Sequence, residues 1–255
     1  MCIFAKKSTI SPATDTAGQT TFVAHHSIVR TIWQDRNAIL LIFAAAAGEF
    51  AYNRSVHWLF FTGKLPNDPI GRLFSTVTYA QSIVFATHEQ AIASIHKINS
   101  IHKAVEDARG TAIPQWAYRS VLFMLIDYTI QAGILLRKQL SENEQEEIFR
   151  VFIKMGVLMD ISNLPATLAE WRIQRTQHLM THTVATHHSI ALYQSYKHHL
   201  GAIRYYMLRH IQATMCPQPV SIKGGLRKSI LAGWLLAAYL HLRHTHMGSI
   251  VVMQL

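Results

Sequence analysis

Apolar positions along this chain recur at helical spacing almost throughout. Over residues 92–105, Ile92, Ile95, Ile98, His102 and Val105 share one face of a helix, so an imidazole sits on a stripe that is otherwise greasy. Start signals agree with the periodicity. Ser141 and Glu144 make a capping box ahead of Ile148, Phe149, Phe152 and Ile153, with Gly156 placed to help end that helix. Asp68 and Pro69 read as N-cap and first residue of a helix through IGRLFSTVTYAQSIVF, and Asn163-Leu164-Pro165 reads as a third start. Strand alternation bounded by hairpin signals is absent, and so is any fixed-period repeat. Loops are expected around 62–68, 107–117, 138–141, 159–165 and 215–225, which predicts an all-α fold of eight to ten helices. No linker separates two compositions, so residues 25–255 form one domain behind a flexible Ser/Thr/Pro/Gly-containing lead-in over 1–24.

Composition sharpens this picture. Half of the 255 residues are hydrophobic and 15% are charged, enough for a substantial apolar interior. Three segments are the most membrane-like: 38–52, 120–136 and 229–242. Glu49 interrupts the first, Asp127 sits near the middle of the second, and the third falls short of the roughly 20 residues of a spanning helix. Buried core helices are the expectation, with peripheral membrane contact left open for the last, which Arg227, Lys228 and Arg243 flank. The N-terminus lacks the apolar core of a signal peptide, which points to an intracellular protein, cytoplasmic or peripherally membrane-associated. The formal charge of +10 suits anionic partners, including a propionate-bearing cofactor, but the basic residues are scattered and do not interleave with aromatics as in a nucleic-acid platform. Cys2 and Cys216 are too few for a disulfide framework.

Several familiar chemistries are missing from the sequence. There is no HExxH, no inward ExxH pair for a di-iron bundle, and no G-x-S-x-G. His178 and His182 at i, i+4 have the spacing of two imidazoles that share a metal, but their Thr and Gln neighbours fit a solvated face. Arg72 and Thr76 put a hydroxyl one turn from a guanidinium on a single helix face. By spacing alone that pair reads more readily as an exposed arginine beside a tolerated threonine, and His102 as a hydrogen-bonded core histidine.

Taken in order, TIWQDRNAILL, DPIGRLFSTVTYAQSIVFATHEQA, INSIHKAV and LSENEQEEIFRVFIKMGVLMDISNLPATLAEW resemble the catalytic domain shared by bacterial rubber oxygenases and the fungal oxygenase of the mycophenolic acid pathway. The resemblance covers roughly residues 30–215. It implies an all-α fold around a b-type haem, with O2 or H2O2 as co-substrate and an apolar, often isoprenoid or secondary-metabolite, substrate. His102 matches the family's proximal iron ligand, and Arg72 and Thr76 match its distal pair, Arg72 also serving cofactor binding. His96 is a rival ligand, but its helical phase sets it with Asn99 and Lys103. The chain departs from the family at Ser75, where rubber oxygenases carry a lysine, and around Tyr118. Glu49 is the nearest counterpart of the family's acid/base glutamate. Peroxygenase or oxidative-rearrangement chemistry on the same fold, or a non-catalytic helical scaffold for a membrane surface or partner, are the alternatives.

Overall fold

In the computed structural model the chain is a single all-α domain; the structure describes residues 13–14, 20–61, 67–137 and 139–228, together with 230 and 233. Ten helices run through the described residues: α1 (Ile28–Trp33), α2 (Arg36–Ala51), α3 (Val56–Phe61), α4 (Pro69–Val84), α5 (His88–Arg109), α6 (Gln115–Arg137), α7 (Glu142–Leu158), α8 (Leu168–His182), α9 (His187–Met215) and α10 (Gln218–Gly224). The strands among the described residues are two two-residue pieces, Ala13–Thr14 and Thr20–Thr21, paired antiparallel.

A long apolar helix lies at the centre. α6 is long and apolar enough to cross a membrane by length and composition, yet Leu122 to Ile126, Tyr128, Thr129, Ile130 and Ala132 are buried, between α2 on one side and α7 on the other. Residues buried all round are what a core helix requires. Trp33, Phe123, Phe149, Phe152, Ile126 and Ile148 fill the main core, each side chain contributing about 1.5–3 kcal/mol through lost apolar exposure. Trp33 hands its one polar atom inward, its Nε1 donating to Thr129 Oγ1 at 3.2 Å. A second cluster, with Ala51, Tyr52, Leu192, Tyr193 and Tyr196, packs α2 against the first half of α9.

The expected start signals at Asp68 and Ser141 are both in place. Asp68 Oδ1 accepts from Gly71 N at 2.8 Å, and Ser141 and Glu144 close a reciprocal capping box. Other boundaries shift. Asn163 takes a left-handed φ of 55°, so α8 starts later, with Thr167 as its cap accepting from Glu170 N. Gly156 does not end α7, which continues to Leu158. A Cβ there would meet Leu122 Cδ2 at 2.6 Å, so the glycine admits a close α6–α7 approach instead. Loop 107–117 contracts to 110–114, and α10 occupies most of the expected loop 215–225. Thr21, Phe22 and Val23, at the end of the expected lead-in, are buried, the latter two in the main core. Residues 62–66 and 138, within two expected loops, and almost all of the apolar segment 229–242 lie outside the described residues.

Candidate active site

The sequence candidates fall on two consecutive helices. α4 and α5, joined by residues 85–87, pack against each other. A capping box between Thr87 and Gln90 opens α5, and Gly110, in the left-handed conformation at φ 68°, ends it. Of the predicted stripe, Ile95 is fully buried, whereas Ile92, Ile98, His102 and Val105 are half-buried. The imidazole of His102 therefore lies at the margin of the core. His96 is exposed.

Three features define the surroundings of His102. The Tyr118 ring on α6 lies 5.1 Å away by centroids, inclined 60°. Burial holds the imidazole below the usual histidine range, and the Arg72 charge lowers it further against a smaller opposing pull from Glu106. The ring is thus neutral at pH 7. Its Nδ1 is buried with no hydrogen-bond partner among the described residues, which is uncommon for a buried polar atom.

Of the α4 pair, Arg72 is the residue whose influence reaches this region. The charge of Arg72 reaches His102. Thr76 is half-buried, and its Oγ1 donates back to the Arg72 carbonyl at 3.2 Å, beside Ser75 Oγ, which donates to the same oxygen at 2.7 Å. The Thr76 proton is therefore held by the helix. Sequence reasoning missed the brace behind His102: Glu106 Oε1 accepts from Tyr118 Oη at 3.2 Å and from Ile113 N at 2.8 Å. Burial and this carboxylate together push the Tyr118 hydroxyl upward, so it stays protonated as a donor. The signal was the i, i+4 spacing of His102 and Glu106.

Glu49 is committed elsewhere. It is 1% exposed, and its two oxygens accept from Arg175 Nη1 at 2.6 Å and Nη2 at 2.5 Å, with Tyr128 Oη donating to Oε2 at 2.6 Å. Arg175 Nε also donates to Asp127 Oδ2 at 2.9 Å. Burial works against the charge of Arg175, but Glu49 and Asp127 overcome it and hold the guanidinium firmly protonated. None of these partners belongs to α4 or α5.

The His178–His182 pair departs from its expected solvated face. His178 is 8% exposed and hydrogen-bonds through Nε2 to Ser120 Oγ at 2.6 Å, because α8 turns this side toward α6. His182 lies 4.4 Å from it and stacks on Trp116 at 4.3 Å. Together with Arg119, Phe123 and Asn163 the two histidines line an open cleft of about 350 Å³. Burial, aided by His182, Arg175 and Arg119, pulls His178 down to about 3. No group of three His, Cys, Asp or Glu side chains among the described residues could hold a metal ion.

The model of one protein family, the catalytic domain described as "ER-bound oxygenase mpaB/B'/Rubber oxygenase", matches residues 30–250. No curated protein and no solved structure matches the chain.

Proposed function

The chain belongs to the mpaB/rubber oxygenase catalytic-domain family, and from that premise we propose that it is a haem b-dependent oxygenase of an apolar, isoprenoid or secondary-metabolite substrate, with His102 as proximal iron ligand. The observation that carries the proposal is the His102 imidazole: neutral, half-buried, and with its buried Nδ1 unpartnered among the described residues. A neutral imidazole offers a lone pair to iron, and a charged one offers none. The residues present therefore fit the group. When bound, haem would supply the redox chemistry that activates O2 or H2O2, which no side chain of this set can provide.

The chain's own contribution is positional and electrostatic. The Tyr118 ring, fixed through Glu106, limits the tilt of His102. Burial, reinforced by the Arg72 charge, keeps the imidazole from taking up a proton, and Arg72 offers a cation to an anionic group in the same region. Thr76 presents its hydroxyl oxygen one turn away; to donate rather than accept, it must first leave the Arg72 carbonyl by rotation about χ1. Glu49, paired on both oxygens, has no free basic site, which favours acid/base work by another group or by water. Peripheral membrane contact is a further part of the proposal, supported by the exposed Ile222 and Ile230 beside Lys223, Arg227 and Lys228. Its test is co-sedimentation with anionic vesicles, which should weaken with salt.

The decisive experiment is a visible spectrum of the purified protein, oxidised and dithionite-reduced, with pyridine haemochromogen analysis. Wild type and His96→Ala should show b-type haem and His102→Ala should not. Full haem content in His102→Ala sinks the ligand assignment, and colourless wild type after expression with added haem sinks the cofactor. Turnover with O2 against H2O2 then separates oxygenase from peroxygenase chemistry.

A further inference from the structure

Two buried donors near the end of α5 have no acceptor among the described residues. Arg109 lies seven residues beyond His102, about two turns along the helix and on the same face. Its guanidinium carbon stands 3.9 Å over the Trp58 ring and 5.1 Å from the Phe61 ring, both on α3. Trp58 is 7% exposed. Arg109 Nη1 and Trp58 Nε1 are both buried, and neither has a hydrogen-bond partner among the described residues.

Nearby carboxylates do not relieve them. Glu106 is engaged by Ile113 N and Tyr118 Oη, and Asp107 pairs with Lys103 at 2.9 Å on the exposed side of the helix. A guanidinium cannot escape its burial by losing a proton, and an indole N–H can only donate. The missing complement is an acceptor with negative charge. Stacking on Trp58 and Phe61 occupies the guanidinium face and leaves its edge for in-plane hydrogen bonds, the geometry that suits a two-oxygen acid.

We infer that Arg109 and Trp58 form a carboxylate-binding pair on the His102 face of α5. Its aromatic walls fit an acid group carried on an apolar body. Two sources have that chemistry: a propionate of haem, in which case the inference rests on the function proposed above, or the acid end of an apolar substrate.

The test uses the full-length protein and the variants Arg109→Gln and Trp58→Phe, the second keeping the ring while deleting the donor. Circular dichroism and thermal melts confirm that each is folded. Haem and haem dimethyl ester are titrated into each protein, and decanoate and decanol are titrated by calorimetry. If the acid is a propionate, wild type prefers haem to its ester by about tenfold or more, the worth of a charged hydrogen bond, and Arg109→Gln erases the preference. If it belongs to the substrate, that preference is the same in wild type and variant, while wild type binds decanoate over decanol and Arg109→Gln loses the difference. In either case Trp58→Phe should show part of the loss. Variants that bind haem, its ester and decanoate as wild type does would overturn the inference. Should wild type take up no haem, the cofactor proposal fails by itself and decanoate decides: no preference over decanol in wild type overturns the carboxylate pair as well.

Discussion

Arg175→Met should be among the most damaging single substitutions in this protein. The Arg175 side chain is 5% exposed and that of Glu49 1%, so neither charge can recover water when its partner is lost. Methionine roughly fills the space but leaves Glu49 with the Tyr128 hydroxyl as its remaining hydrogen bond, and Asp127 with Gln131. Breaking a buried pair from one side costs about 3–5 kcal/mol. For a chain of this length that corresponds to roughly 6–20 °C in Tm. Removing both charges in Glu49→Leu/Arg175→Met should restore much of the stability, because the double variant strands nothing. The exposed Arg172–Glu142 pair, with side chains 46% and 68% exposed, serves as the control, and Arg172→Met should cost less than about 1 kcal/mol. Urea unfolding followed by circular dichroism at pH 7 measures all three variants against the wild type. A loss below about 1 kcal/mol for Arg175→Met, with native helicity, would refute the view of Glu49 as a structural carboxylate and return it to candidacy as an acid/base group.

Acidification should weaken the fold through His178: its folded value of about 3 lies below the ordinary 6.5, so its contribution is complete above pH 6.5 and erodes as the unfolded chain takes up a proton on the way down. His178→Gln should reduce the proton uptake on unfolding, read from the pH dependence of stability between pH 6.5 and 4, by about one proton; an unchanged slope would contradict the assignment. Gly201, at φ 71° and ψ 176°, breaks α9 in a region open essentially to glycine, so Gly201→Ala should cost about 1–3 kcal/mol in urea unfolding although its Cβ would meet nothing within 4 Å. Ser141→Ala removes half of the α7 capping box and should cost about 1 kcal/mol in the same assay.

The fold was legible because its determinants are local. Asp68 before Pro69 and Ser141 before Glu144 satisfy backbone donors within three residues, and those starts are where the chain places them. The late start of α8 was also written, as Thr167 with Glu170 three residues on, but the Asn-Leu-Pro signal drew the boundary forward. Gly156 reads as a stop by itself and becomes a contact point once Leu122 is known to press against it. The site divides in the same way. A histidine on an isoleucine stripe is visible in sequence, whereas the partner of Glu49 lies 126 residues away and is chosen by how α2, α6 and α8 meet. The burial of His178 follows likewise from the approach of α8 to Ser120, since Thr and Gln neighbours give no hint of it.

The central carboxylates and the buried nitrogens around α5 differ in how their hydrogen-bonding demand is met. Where α2, α6 and α8 meet, the carboxylates are satisfied: both Glu49 oxygens are met by Arg175 and Tyr128, and the two Asp127 oxygens by Arg175 and Gln131. Around the His102 face of α5 the buried nitrogens are not. Its one buried-side carboxylate, Glu106, is consumed by Tyr118 and Ile113, while His102 Nδ1, Arg109 Nη1 and Trp58 Nε1 remain without partners among the described residues. Orphaned buried groups cost about 1–3 kcal/mol each. The central network joins seven polar atoms of Glu49, Asp127, Arg175 and Tyr128, whereas the three nitrogens of His102, Arg109 and Trp58 present the demand that the proposed ligand, with a coordinating centre and an acidic edge, would answer.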